Sequence, residues 1–355
     1  MSCTLVSRPV LINTPRGLYC PAGDFHIDPS RSVPHAVITH AHSDHARKGM
    51  GLYTTHTDTI CILKHRLGAN IVTAPLAYGE HIRINDAVVS LHPAGHVIGS
   101  AQVRVEVDGE VWVVSGDYKR QADPFAVPYE IVQCDTFITE STFGMPVYRW
   151  ESNDTIAEKM NTWWRSNRDR GITSIVHAYA LGKAQRLLGT LDTSIGPFYT
   201  HGSVEKMNTM LRANGIALPE TRAIEHSSLH EAGSQEHSGS NLRFGGTDSS
   251  RLFVDSGALI IAPDSSENAS WLQHVEPYAT AVASGWMALR NGRQRRTADI
   301  GFAMSDHVDW PDLMRTVRET GAKRILVTHG YTSIVVRSLR EQGYDAHELH
   351  LVPGV

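Results

Sequence analysis

Four apolar stretches of this chain each run into a side chain that can bind a metal or carry a proton. "AVIT" leads to His40, "VVSG" to Asp117, "TFIT" to Glu140 and "ILVT" to His329. Short apolar runs rich in β-branched residues form buried strands. Layers of parallel strands and helices collect polar groups at the carboxyl ends of their strands. Four such ends aimed at one edge would converge their side chains as an α/β layer does, and that pattern restricts the chain more than its composition does.

A denser cluster follows the first of these strands. "THAHSDHARKGM" (39–50) places His40, His42, Asp44 and His45 within six positions. His96, in "HPAGHVIGS", stands on a loop between Gly95 and Gly99, where the backbone can turn tightly. With Asp117 and His329 the inventory is five imidazoles and two carboxylates. That set suits Zn²⁺, or Mn²⁺ where carboxylate and water predominate. It is too rich for one tetrahedral zinc. Two divalent ions sharing Asp117 as a bridge would use every member. The chain has 20 histidines; His26, His35, His56, His65, His92, His201 and the 226–237 group read as ordinary surface or core residues.

The 355 residues suit one large domain or two, with 41% hydrophobic and 20% charged residues. A formal net charge of -4 argues against a globally basic nucleic-acid binder. Cys3, Cys20, Cys61 and Cys134 are scattered without a CxxC pair, as in a reducing compartment. With neither a signal-peptide run nor a membrane-length apolar stretch, a soluble cytoplasmic protein is expected.

The first 140 residues read as short strands with little helix, including a hairpin tipped by Asp108-Gly109. A helix is expected over about 153–168, with Asn153 and Asp154 as N-cap choices and Ile156, Met160, Trp163 and Trp164 on one stripe. Further on come a strand and helix in "SIVHAYALGKAQRLLGTL", a helix stopped by Asn214-Gly215, and the strand "ALIIAP". Residues 222–250 read as an irregular Ser/Gly/His-rich excursion. A helix after Asp309 with Pro311 in its first turn, then "RILVTH", restores the α/β alternation.

"THAHSDH", "AGHVIGSA" and "SGDYKR" resemble motifs two, three and four of the metallo-β-lactamase superfamily, with Asp28 in "FHIDP" at the first motif. "TESTFG", carrying Glu140, resembles motif A of the β-CASP nucleases, and "HAYALGKAQRLL" the opening of their inserted cap. "AMSDHVDW" puts His307 at motif B, and "LVTHGY" puts His329 at motif C. The phrases "GLYCPAGDFHIDP", "ITHAHSDHARKG" and "SGDYKRQADPF" look most like bacterial ligase-associated DNA exonucleases, relatives of the Artemis-type enzymes. The resemblance implies an αββα metallo-β-lactamase sandwich, residues 1–144 and 298–355, interrupted by an α/β β-CASP-like cap at 145–297. It implies one metal on His40, His42 and His96, another on Asp44, His45 and His329, and Asp117 between them. Asp28 would orient a histidine ring. Asp44, Glu140 and His307 would be catalytic, with His307 protonating the departing oxygen beside Glu140.

Arg47, Lys48, Lys119 and Arg120 closely follow metal-ligand positions, and Ser141 and Thr142 adjoin Glu140, so all six are expected to meet the substrate backbone. "LRNGRQRRT" (289–297) could line a strand channel, and Trp286 reads as a core residue, with stacking on a base as the alternative. The expected activity is metal-dependent DNA exonuclease digestion from the 5′ end in DNA repair. The DNA would be single-stranded or carry a free end, and a DNA ligase would be a functional associate. An RNA-processing β-CASP nuclease, a non-catalytic nucleic-acid-binding scaffold and a small-ester or thioester hydrolase are the alternatives.

Overall fold

A computed structural model of the chain describes residues 9–224, 254–266, 270–289 and 298–350. Cys3, the 226–237 histidines, most of the 222–250 excursion and the arginines of the 289–297 run lie outside the described residues.

β1 (Ile12–Thr14), β2 (Gly17–Cys20), β3 (Phe25–Ile27), β4 (His35–Ile38), β5 (Leu52–His56) and β6 (Thr73–Leu76) lie side by side in chain order as one sheet. A second sheet holds β7 (His81–Ile84), β8 (Ala87–Pro93), β9 (Ala101–Val107), β10 (Glu110–Val114) and β11 (Thr136–Ser141). Val107 pairs with Glu110 across the Asp108-Gly109 turn, where both turn residues have positive φ (50° and 82°), as a tight hairpin between twisted strands demands. β18 (Arg324–Gly330) and β19 (Asp345–Glu348) complete that sheet, each parallel to its neighbour.

Alternation along the strands decides which faces meet. Phe25, Ile27 and Val37 of the first sheet pack in one core with Val89, Val103, Val105, Val114 and Ile138 of the second. Outside the first sheet lies α1 (Thr57–Leu67), whose Ile62 and Leu63 pack with Ala36, Ile38 and Tyr53. Outside the second lie α5 (Trp310–Glu319) and α6 (Thr332–Glu341), with Leu313, Val317, Val335 and Leu339 against Phe137, Ile325 and Val327. The layers run helix, sheet, sheet, helix.

A third sheet is parallel throughout. Its order is β14 (Arg222–Ala223), β13 (Phe198–Thr200), β15 (Leu259–Ala262), β12 (Thr173–His177), β16 (Tyr278–Ala283) and β17 (Ile300–Phe302). α2 (Asn153–Asp169) and α3 (Lys183–Thr190) supply Met160, Trp164, Leu187 and Leu188 to its core. Trp164 is fully buried and donates its indole N–H to the Gly257 carbonyl at 2.8 Å. Truncating so large a buried ring typically costs about 3–5 kcal/mol. α4 (Gly202–Ala213) ends at Asn214-Gly215 and packs Met207 and Leu211 into the α1 core.

Three expectations shift. α2 is capped by Ser152, whose hydroxyl accepts from the Thr155 amide, rather than by Asn153 or Asp154. α1 is an eleven-residue helix within the stretch read as short strands with little helix. β17 pairs with β16, so the third sheet extends past residue 297, where the insertion was expected to end. Among the described residues, no helix is long and apolar enough to cross a membrane.

Candidate functional site

Each histidine of the cluster has one ring nitrogen anchored and the other turned inward. His40 Nδ1 lies 3.0 Å from the Thr39 hydroxyl, and His42 Nε2 lies 3.1 Å from the Leu181 carbonyl. His45 Nδ1 is 2.7 Å from an Asp28 carboxylate oxygen, and His96 Nδ1 is 2.8 Å from the Asp306 carbonyl. Partners of this kind fix the tautomer and orientation of a metal-binding imidazole. The inward nitrogens converge. His96 Nε2 is 3.1 Å from His42 Nδ1, while Asp117 Oδ2 is 3.5 Å from His40 Nε2 and 3.8 Å from His96 Nε2.

The donor atoms of His40, His42, His96 and Asp117 lie within 4.8 Å of one another, and all four residues are buried. Donors held about 2.0–2.1 Å from one tetrahedral zinc stand about 3.3 Å apart, so this quartet fits one ion. His40 Nε2 is buried without a hydrogen-bond partner, an arrangement that a core histidine rarely tolerates. Burial keeps His40 and His96 well below the ordinary histidine pKa and lowers His42 as well. All three are therefore neutral, the form a metal binds. Burial alone would raise the Asp117 carboxyl, but the His45 and His307 rings hold it well below the usual range, so it stays ionised.

The other expected triad is more open. His45 turns Nε2 toward Asp117 Oδ1 at 3.4 Å and Asp44 Oδ2 at 3.8 Å, and its ring lies 5.9 Å from that of His329. The Asp44 side chain is 71% exposed and His329 is exposed, so both face the cleft. His329 itself has a φ of 52° and Gly330 one of 76°. A Cβ on Gly330 would come within 2.2 Å of the Ser141 carbonyl, so only glycine lets β18 bend here and present His329. Behind the cluster, Asp28 accepts the Thr39 amide at 2.8 Å and the Thr39 hydroxyl at 2.5 Å.

Beside Asp117 stands an acid–imidazole pair. His307 Nδ1 lies 2.9 and 3.0 Å from the two Glu140 oxygens. Glu140 also accepts the Tyr118 amide at 2.9 Å and the Thr142 hydroxyl at 2.5 Å. Burial would lower the His307 pKa, but the Glu140 and Asp117 carboxylates outweigh it and raise it to about 9. His307, Thr142 and Asp117 border a cleft of about 270 Å³ that also admits Lys183 and Asp306. The quartet and Glu140 follow or end strands of the sandwich. Tyr179, Lys183, Asp306 and His307 follow β12 and β17 of the third sheet. Two carboxyl edges therefore face each other across the cleft.

No protein-family model matches the chain. A protein named a probable DNA ligase from Opitutus terrae is 28% identical over 344 residues, covering 93% of this chain and 30% of that protein. The chain shares the fold of a solved protein of unknown function from Enterococcus faecalis V583, with a TM-score of 0.60, 13% identity, and 90% and 80% of the two chains covered. An RNase J-like protein from Methanocaldococcus jannaschii is 26% identical over 204 residues, 49% of this chain and 48% of that protein. The chain is similar to β-CASP proteins of the metallo-β-lactamase fold. It spans less than half the length of either curated relative.

Within this arrangement the six expected substrate contacts separate. Arg47 and Lys48 are exposed just beyond the cluster, and Thr142 lines the cleft. Lys119 does not face substrate: it is 3% exposed, and its ammonium donates to the Ser305 carbonyl at 2.5 Å. Arg120 is paired with Glu319 at 2.8 Å and bonded to Thr316, on α5. Ser141 is buried and donates to the His329 carbonyl, so it shapes the backbone beneath the cleft. Trp286, expected in the core, is 45% exposed.

Three cleft residues escaped the sequence reading, Tyr179, Lys183 and Asp306. Lys183 pairs with Asp306 at 2.5 Å. Asp306 directly precedes His307, and Lys183 follows Gly182, whose φ of 97° marks a strand-to-helix turn. Adjacency to those two positions was the available signal. Arg186, one turn along α3, is 1% exposed, pairs with Asp123 at 2.5 Å and donates to the Ser305 carbonyl at 2.6 Å. The Ser305 carbonyl thus accepts from both the Lys119 and Arg186 side chains, and this clamp sets the position of the His307 loop.

Proposed function

We propose that this chain hydrolyses phosphodiester bonds of DNA with divalent metals, as an exonuclease working from the 5′ end. The carrying observation is the buried quartet of His40, His42, His96 and Asp117 set beside the protonated His307–Glu140 pair in one open cleft. The quartet would hold one ion. Asp44, His45 and His329 would hold a second, with Asp117 between them. Zn²⁺ or Mn²⁺ suits these donors. Bound ions would polarise the scissile phosphate and acidify the attacking water.

The remaining roles fall to side chains of this protein. His307 gives its proton to the departing oxygen, and Glu140 keeps that proton on the ring and holds the ring in place. Thr142 fixes the Glu140 carboxylate. Asp28 and the Leu181 and Asp306 carbonyls hold the imidazoles in orientation. Lys183, and Arg47 and Lys48 at the rim, supply positive charge for the phosphate backbone. The sandwich carries the first role set and the β-CASP cap, β12–β17 with their helices, closes the cleft.

The relative named a probable DNA ligase, aligned over 93% of this chain, favours DNA as substrate and repair beside a ligase as the setting. The RNase J-like relative favours the second reading, an RNA-processing nuclease. End-labelled DNA and RNA strands of one sequence, incubated with the Mn²⁺- or Zn²⁺-loaded protein, separate the two. Successive shortening of DNA from the 5′ end, faster than RNA, supports the first reading. Equal or faster RNA cleavage replaces it with the second.

A further inference from the structure

The exposed large aromatic side chains among the described residues are two, Tyr179 and Trp286, each 45% exposed. Both stand at the carboxyl edge of the third sheet. Tyr179 follows β12 by two residues and Trp286 follows β16 by three, and these strands are parallel neighbours. The Tyr179 ring lies edge-on 5.1 Å from His42. The Trp286 ring lies 4.8 Å from Phe143, which in turn lies 5.9 Å from His307. One exposed ring thus adjoins the metal quartet, and the other adjoins the acid pair across one buried phenylalanine.

The Trp286 support is built in. Gly285 brings the backbone so close that a Cβ there would sit 2.5 Å from the Phe143 ring. Phe143 is further packed by Tyr148 and Trp150 at 4.8 and 4.9 Å. A rigidly backed ring with an open face loses little entropy when a flat partner covers it. The Tyr179 ring lines the polar cleft, and the Trp286 ring packs on Phe143 outside its lining. A protein partner favours contiguous patches. Single aromatic faces beside a phosphate site suit successive bases of one strand, since every base offers a π-face.

We propose that Tyr179 and Trp286 stack the bases on the two sides of the scissile phosphate, so the strand enters with those bases unpaired. This rests on the nuclease reading above and adds the strand state of its substrate. The test uses single-stranded, end-labelled oligonucleotides in which a tetrahydrofuran abasic residue replaces each nucleotide around the first cleaved bond in turn. The metal-loaded wild-type protein should cut at least about fivefold more slowly when either flanking base is missing. Trp286→Ala should lose that sensitivity at one position and Tyr179→Ala at the other, and the phenylalanine variants should regain it. Even cutting of the abasic series, or variants that slow abasic and intact strands equally, would overturn the proposal.

A binding measurement keeps the outcome independent of turnover. Oligothymidylate should quench part of the emission of the seven tryptophans, and Trp286→Phe should remove most of that quench. Quenching lost in Trp286→Phe without cleavage of any strand supports stacking and removes the nuclease reading. Cleavage with an even abasic series and unchanged quenching does the reverse.

Discussion

The Glu140 carboxylate meets His307 Nδ1 with both oxygens, at 2.9 and 3.0 Å, although one residue ends a strand of the sandwich and the other lies 167 positions later. Replacing Glu140 by Gln keeps the shape and removes the charge that favours the imidazolium. The kcat of Glu140→Gln should fall about 10²- to 10⁴-fold, the usual worth of a general acid, with KM nearly unchanged. Metal content measured on the same preparation should equal that of wild type. A variant with normal kcat would remove the pair from the chemistry.

Metal dependence should appear in both composition and stability. Elemental analysis should find at least one divalent ion per chain, and chelation should abolish cleavage. His96→Ala breaks the quartet and should lower the metal content even where the fold is retained. Because an ion bound only by the folded chain stabilises it, chelation should lower the melting temperature of wild type and change that of His96→Ala much less.

Lys119 and Lys183 should respond in opposite ways. Lys119 is spent on the Ser305 carbonyl, whereas Lys183 lines the cleft. Lys183→Met should flatten the dependence of KM on salt by about one counterion, while Lys119→Met should leave that slope unchanged. Arg186→Met strands the buried Asp123 carboxylate and should cost about 3–5 kcal/mol in denaturant unfolding.

Away from the cleft, His35 sets part of the acid sensitivity. Its Nε2 lies 2.8 Å from the Thr54 hydroxyl, and burial lowers its pKa below 6.5. The unfolded chain then binds the proton more readily, so stability falls as pH drops below 6.5 and levels off beneath the folded value. His35→Gln should show a shallower loss of urea midpoint between about pH 7 and about pH 5.

Local chemistry was legible in the sequence wherever it depended on neighbours along the chain. His40, His42 and His96 were readable because donor spacing and flanking glycines are written in a few residues. The Asp108-Gly109 hairpin and the Asp309 cap of α5 were readable for the same reason. Direction was not. Lys119 and Arg120 stand two and three positions after Asp117, yet one turns into the Ser305 clamp and the other toward α5, because distant residues decide where a loop side chain finds its partner. Trp286 looked like core material because large rings usually are. Its exposure follows from Phe143 occupying the space beneath Gly285. The helix α1 was not singled out because Thr59, Ile62 and Leu63 mark only about one turn of buried face, and one of the three is polar.

The carbonyls of Leu181 and Asp306 hold the rings of His42 and His96, so the histidines of the first hundred residues take their final orientation from residues synthesised much later. A nascent chain that has emerged only through Asp117 carries every donor of the quartet but lacks two of its braces. A metal held by the quartet would meet fully braced ligands only once residue 306 has folded back, and a version with β12–β17 excised would lack both carbonyl braces.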